Sequence, residues 1–382
     1  MQGINEFLKN TMMIERFFGV TLYFTIVMII YCLLRNTSKP KKIKSILIFS
    51  LLILTIMGAM YIPEETADLY RIWQTCDYFA TKSFNVFFKS YCVNNPTPVS
   101  NLLFYLIGTL GIKCLLPAFA SFMFHFSIFY IIKLINEKGD IIRVNLALCF
   151  LFVMSLGRFM MAISGIRSLP GLAVLAFCFS KEIINKKINP LLIIIELLVA
   201  LMHPICLVVI IIRVLIMFIT SYGKLISRVF NYLVCIILIF LIIRYGGFYI
   251  ENAFNKAEQY LENTIYNNFW ERVISTCLFL MMIFVCIKSI IINSKIKNNK
   301  ITNFIILNAV YLLIELIFIY EFNIFHRLSS FSAVMILPLL ALVLKNDKNN
   351  KLRRVIFVYS FLILILSCIR GDLSGYKFFK LW

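Results

Sequence analysis

The chain has 382 residues, of which 61% are hydrophobic and 15% charged, and it carries a formal net charge of +20. Soluble domains run nearer about 45–50% apolar and about 25% charged, so a fold whose outer surface meets only water is excluded. A nucleic-acid partner is excluded as well, because Lys and Arg stand in short clusters between apolar runs rather than along one basic face.

In chain order the apolar runs lie at residues 17–34, 45–62, 99–112, 114–135, 142–157, 159–180, 190–220, 229–244, 273–294, 301–320, 328–345 and 354–370. Most approach the roughly 20 residues that cross a hydrocarbon core of ~30 Å. The runs are continuous rather than alternating, which favours helices over barrel strands. The expected fold is all-α: a polytopic transmembrane helical bundle of about 10–13 membrane helices, forming one integral membrane domain over residues 1–382, with outer loops at 63–100 and 245–272. The N-terminus lacks a basic stretch followed by a small-residue cleavage site, so the first run is expected to stay as a helix.

The basic connections at 35–44, 133–143, 181–187, 288–300 and 345–354 set the orientation. With all of them cytoplasmic, the chain crosses twice between each consecutive pair. Two intervals contain three runs and need a special reading. Run 99–112 is short and is expected as an interfacial or re-entrant helix on the outer side. Run 190–220 is too long for one span and contains His203-Pro204, so two short helices are expected to turn there, since proline removes a backbone donor. Residues 222–228 then form a further cytoplasmic loop, with Lys224 and Arg228 in agreement.

The eleven cysteines include no CxxC pair and mostly read as small buried hydrophobes. Cys76 and Cys92 share one polar loop, where a disulfide is the alternative to two free thiols.

Ionisable residues at membrane depth are candidates for function. Outside the basic loops these are Arg158, Arg167, Glu196, His203, Glu315, Glu321, His125, His326 and Arg327. The topology puts Arg158, Arg167, His203, His326 and Arg327 at outer helix ends, where together they suit an anionic ligand. Arg158 and Arg167 flank a small-residue stretch, Ala162-Ile163-Ser164-Gly165, and a planar guanidinium grips phosphate in bidentate fashion. The plainer reading is that these arginines snorkel to headgroups. His203 is either a cap on a broken helix or a substrate ligand and general base. His125 reads as an interior histidine. Loop 63–100 joins Asp68 and Asp77 to Tyr70 and Tyr78, a mixture that suits sugar, with rings on C–H faces and carboxylates on hydroxyls; the plainer reading is an amphipathic helix at the interface. Loop 245–272 has the composition of an amphipathic lid. No P-loop, HExxH, GxSxG or GxGxxG motif occurs, so ATP hydrolysis and zinc hydrolase chemistry are not expected.

Three local features carry a resemblance. Asp68-Leu69-Tyr70 and Asp77-Tyr78-Phe79 form an Asp/Tyr-rich outer loop, Ser164-Gly165-Ile166-Arg167 is an Arg-bearing turn before a helix, and Ala200-Leu201-Met202-His203 ends a helix after a basic loop. At these residues the chain resembles the Wzy-type polysaccharide polymerases, particularly their EpsG-like branch. The resemblance implies joining of oligosaccharide repeat units carried on undecaprenyl pyrophosphate, outside a bacterial cytoplasmic membrane. It implies pyrophosphate binding by Arg158, Arg167 and Arg327, a catalytic proton acceptor in His203 or Asp68, and glycan contacts from Asp77, Tyr78, Tyr70 and His326. No metal, nucleotide or other cofactor is implied, because the lipid pyrophosphate is already the activated leaving group. Membrane lipid and a chain-length regulator are the further partners. The rival readings are a lipid-linked oligosaccharide flippase and another membrane glycosyl- or acyltransferase.

Overall fold

The computed structural model describes residues 19, 21–37, 39–63, 65, 67–93, 95–138, 143–155, 159–185, 189–220, 269–347 and 350–370. The chain begins with α1 (Thr21–Asn36), α2 (Pro40–Ala59), α3 (Asp68–Ala80) and the single turn α4 (Phe84–Phe87), which runs on as a π-turn over Phe88–Cys92. There follow α5 (Pro98–Leu110), α6 (Leu115–Lys138), α7 (Arg143–Met154), α8 (Phe159–Ser164), α9 (Leu169–Asn185), α10 (Pro190–Ala200) and α11 (Pro204–Thr220). The last helices are α12 (Phe269–Ile296), α13 (Asn299–Ile317), α14 (Phe322–Met335), α15 (Leu337–Lys345) and α16 (Lys351–Arg370). Proline opens α2, α5, α10 and α11 because its missing N–H falls where no helical acceptor exists.

The chain is a multi-pass membrane protein. Among the described residues, α2, α6, α12 and α13 are each long and apolar enough to cross a membrane, and α14 with α15 makes a fifth crossing if that pair, bent by 48°, counts as one span. Pro338 explains the bend, since it removes a donor and crowds the preceding turn. Shorter apolar helices (α1, α5, α10 and parts of α7 and α11) accompany them. Large apolar side chains recur every three or four residues on the exposed face of α2 (Ile48, Phe49, Leu52, Ile56) and of α12 (Leu280, Ile287, Ile290, Ile291). A stripe of that size meets lipid rather than water.

Run 190–220 breaks at His203-Pro204 as the proline predicts. The apolar run 159–180 divides into α8 and α9 at the Ser164-Gly165-Ile166-Arg167 turn offered by the sequence, where Ser168 N–H bonds to Gly165 O. Run 229–244, loop 222–228, the body of loop 245–272 and Arg158 lie outside the described residues.

Two compact units divide the chain. The first holds residues 1–81, 106–170 and 340–382. Within it α2 packs on α6 so closely that a Cβ on Gly58 would stand 2.8 Å from both Pro117 O and Ser121 Cβ. Ser121 Oγ donates to Leu54 O at 2.7 Å across that seam, the small-residue contact that lets membrane helices approach. His125, one turn on, is fully buried, and its Nδ1 lies 2.8 Å from Ser121 O. Tyr23 donates to Met154 O, while Ser367 of α16 donates to Ser155 O, so side chains from distant segments satisfy the orphan carbonyls where α7 ends.

The second unit holds residues 82–105 and 171–339. Here α12, α13 and α14 pack on one another and α11 packs on α13. Glu315 is fully buried and accepts from Ser329 Oγ at 3.0 Å and from Ser332 Oγ, so α14 hydroxyls solvate an α13 carboxylate. Asn308 Nδ2 donates to Phe304 O within α13 and reaches Met335 O, at the bend between α14 and α15.

Candidate functional site

The break between α10 and α11 is the best-built polar feature among the helix ends that carry the sequence-predicted site residues. Breaking a helix frees carbonyls on one side and N–H groups on the other. The carbonyls are covered by α5: Ser100 Oγ donates to Met202 O at 2.8 Å, and Val99 N–H approaches Leu201 O at 3.4 Å. His203 caps the N–H side, its Nδ1 accepting from Ile205 N–H at 3.2 Å with Pro204 between them. This is an N-cap geometry with imidazole in place of Asp or Ser. Gly171 of α9 allows the close approach, since a Cβ there would meet Cys206 Sγ at 2.9 Å and Val199 Cγ1 at 3.1 Å.

The cap has a chemical consequence. A backbone N–H can only donate, so Nδ1 must present its lone pair. The proton of neutral His203 therefore sits on Nε2, and in this geometry Nε2 donates a hydrogen bond rather than accepts a proton. His203 is half-buried.

A cation joins this break. Arg327 of α14 is half-buried, and its charge acts on the Cys206 thiol, three residues beyond His203. Its neighbour His326 is nearly buried, with Nδ1 3.1 Å from Ser275 Oγ of α12 and its ring 5.2 Å from that of Phe322. His326 therefore contacts protein on two sides, whereas Arg327 keeps part of its surface open.

In the first unit the acids and rings of loop 63–100 lie on α3, an amphipathic helix that buries Leu69, Ile72, Cys76 and Phe79. Asp68 pairs with Arg71 at 2.8 Å with both side chains open to the surroundings. Asp77 pairs with Lys113 at 2.5 Å. Tyr70 is half-buried and Tyr78 is exposed beside Phe79. Tyr70 and Asp77 are seven residues apart, so they share one face about 10 Å apart. α3 packs on α8, and Arg167 follows α8 in the turn that leads into α9, half-buried and held by interactions of its own.

The residues singled out in the sequence thus divide between the units: Asp68, Tyr70, Asp77, Tyr78 and Arg167 in the first, and His203, His326 and Arg327 in the second. Cys76 and Cys92 are free thiols, as are all ten described cysteines. Burial pushes the Cys76 thiol up to about 12, with the Asp77 charge acting in the same direction. Among the described residues no group of three or more His, Cys, Asp or Glu is arranged to hold a metal ion.

Sequence reasoning missed one pair. Arg213 of α11 and Glu182 of α9 are 5% and 7% exposed and stand 3.4 Å apart. Glu182 reads in the sequence as part of a basic cytoplasmic loop, and Arg213 hides inside the long run 190–220. Its signal was an arginine nine residues past Pro204 with no loop to account for it.

Fold and sites define an all-α, multi-pass membrane protein with a capped helix break beside an arginine. Compared with known proteins, the chain matches no family, no curated protein and no solved structure.

Proposed function

We propose that the chain is a polysaccharide polymerase of a bacterial cytoplasmic membrane, joining undecaprenyl-pyrophosphate-linked oligosaccharide repeat units at the outer face. The observation that supports this best is the helix break capped by the His203 ring, with the charge of the half-buried Arg327 acting on Cys206 in the first turn of α11. The reaction needs positive charge where a pyrophosphate departs and a donor that orients a sugar oxygen. Arg327 supplies the charge, and the positive end of the α11 dipole adds a partial one. His203, with its proton on Nε2, positions an oxygen of the acceptor or leaving group.

An acceptor hydroxyl attacks the anomeric carbon of the growing chain, the bond to the lipid pyrophosphate breaks, and the hydroxyl proton passes to a base. The resemblance implies Asp68 as the base, and Asp68 is an open carboxylate whose partner Arg71 is also open. It likewise implies Arg158 and Arg167 as phosphate ligands and Asp77, Tyr70, Tyr78 and His326 as glycan contacts.

A second reading has its own observation. The α10–α11 break and the 48° bend between α14 and α15 are both interrupted apolar helices, and transporters build substrate sites from such helices. A lipid-linked oligosaccharide flippase is therefore the alternative.

Deleting the gene and resolving surface glycan by gel separates the two. A polymerase leaves single repeat units at the surface while the long ladder vanishes. Complementation with Arg327→Ala then fails to restore the ladder, and Arg327→Lys restores part of it. Loss of even the single unit, with lipid-linked units trapped inside, identifies the flippase instead. An unchanged ladder rejects both.

A further inference from the structure

The second unit places charged side chains in its interior on three consecutive helices. Glu182 of α9 and Arg213 of α11 form the 3.4 Å pair. The guanidinium also lies 5.4 Å from the Phe179 ring centre, a face that favours a cation. Glu196 of α10 is the third member, within electrostatic reach of both Glu182 and Arg213. Its Oε1 is buried and meets no hydrogen-bond donor.

Two further groups lie around these three. Tyr311 of α13 feels Arg213 and Glu196 but commits its hydroxyl to Val209 O at 2.6 Å. On α9, Cys178 faces both carboxylates and feels Lys181, whose Nζ lies 5.6 Å from the Phe177 ring centre. Two carboxylates therefore share one guanidinium in the protein interior, where a carboxylate oxygen with neither donor nor counter-charge is strongly disfavoured. A hard metal cation needs six or so oxygen ligands, more than two carboxyl groups provide.

We infer that Glu182 and Glu196 form a buried proton-binding site, in which Arg213 balances one carboxylate and a single exchangeable proton balances the other. The proton resides on Glu196, whose Oε1 has no other partner, while Glu182 keeps the guanidinium. Binding converts one carboxylate and one proton from water into one carboxylic acid, and no other reactant is needed. Glu196 lies six residues into α10 from Pro190, about 9 Å along the helix from the basic connection at 181–187.

The test is infrared spectroscopy of the purified full chain in lipid, which needs neither glycan nor turnover and so stands or falls apart from the polymerase reading. At neutral pH the wild type shows the carbonyl stretch of a protonated carboxyl, shifted in D2O. Glu196→Gln loses that band, while Glu196→Asp, which keeps the acid and the packing, retains it at a shifted frequency. Glu182→Gln weakens it, because one remaining carboxylate then faces one guanidinium. A wild type without the band overturns the inference. So does a band that keeps its intensity in Glu196→Gln, or its frequency in Glu196→Asp.

Discussion

His203 does two jobs that different substitutions separate. The ring caps α11 through Nδ1, and in the proposed function its Nε2–H orients a substrate oxygen. Alanine removes both, and loss of an N-cap acceptor costs about 1 kcal/mol. Asparagine restores the acceptor, because its side-chain oxygen reaches the same N–H, but it cannot reproduce the imidazole N–H at the same distance from the backbone. His203→Ala therefore lowers the unfolding temperature in lipid, and His203→Asn recovers most of the loss. If the ring only caps, His203→Asn also restores the glycan ladder; if it holds substrate, the ladder stays short while stability returns. Cys76 gives a pH prediction. Burial disfavours the thiolate, which is the reactive form, and holds the group near 12. At pH 8 roughly one thiol in ten thousand is ionised, against roughly a quarter for an ordinary cysteine. Alkylation followed by mass spectrometry should find Cys76 far slower than the exposed Cys32 and Cys114. The Cys76 rate should rise roughly a hundredfold between pH 8 and 10, because ionisation is still far from complete there. A rate that levels off near pH 9 would mean an open thiol.

Helix contacts in the first unit depend on small residues more than on apolar area, since lipid is as apolar as leucine and drives no association by itself. The seam of α2 and α6 makes this plain. Gly58 faces a backbone carbonyl, Pro117 O, which cannot move aside as a side-chain tip would. Gly58→Leu should push α2 from α6, break the Ser121 bond to Leu54 O and cost about 1–3 kcal/mol, the range for forced overpacking. Thermal unfolding in lipid measures the loss. A neutral result would mean that the seam opens without cost. The same seam shows where sequence reading stops. Runs of apolar residues and helix-opening prolines made α2, α10 and α11 legible in outline, because both signals are local. Which glycine meets which carbonyl depends on a partner helix about 60 positions away, and no local pattern encodes it. The turn between α8 and α9 was legible in Ser164-Gly165-Ile166-Arg167, whereas hydropathy alone does not register the Ser168 N–H bond to Gly165 O that closes it.

Across the whole chain, composition made the class legible, whereas the site emerged only in part. The His203-Pro204 break came from one proline, and the nearness of Arg327 to Cys206 joins residues 121 positions apart that no spacing rule connects. The Glu182–Arg213 pair stayed hidden because each member had a bland local explanation, one as a loop acid and one as part of a long apolar run. The orientation of the chain remains a global claim, argued from charge. Clusters of Lys and Arg stay on the cytoplasmic side because moving them across the hydrocarbon is costly. The α12–α13 connection and the connection before α16 both belong to such clusters, whereas the α4 turn lies between runs that place it outside. With the exposed Cys32 and Cys114 replaced by serine, Lys297→Cys and Lys351→Cys should react with a membrane-impermeant maleimide only after the membrane is opened. Ser90→Cys should react in intact cells, and so should Arg167→Cys, though more slowly because its site is half-buried. The last position carries the most weight, since its side depends on reading residues 99–112 as a non-crossing helix. If Arg167→Cys is labelled only from the cytoplasm, run 99–112 crosses after all, and Arg167 cannot hold an outer pyrophosphate whatever its chemistry.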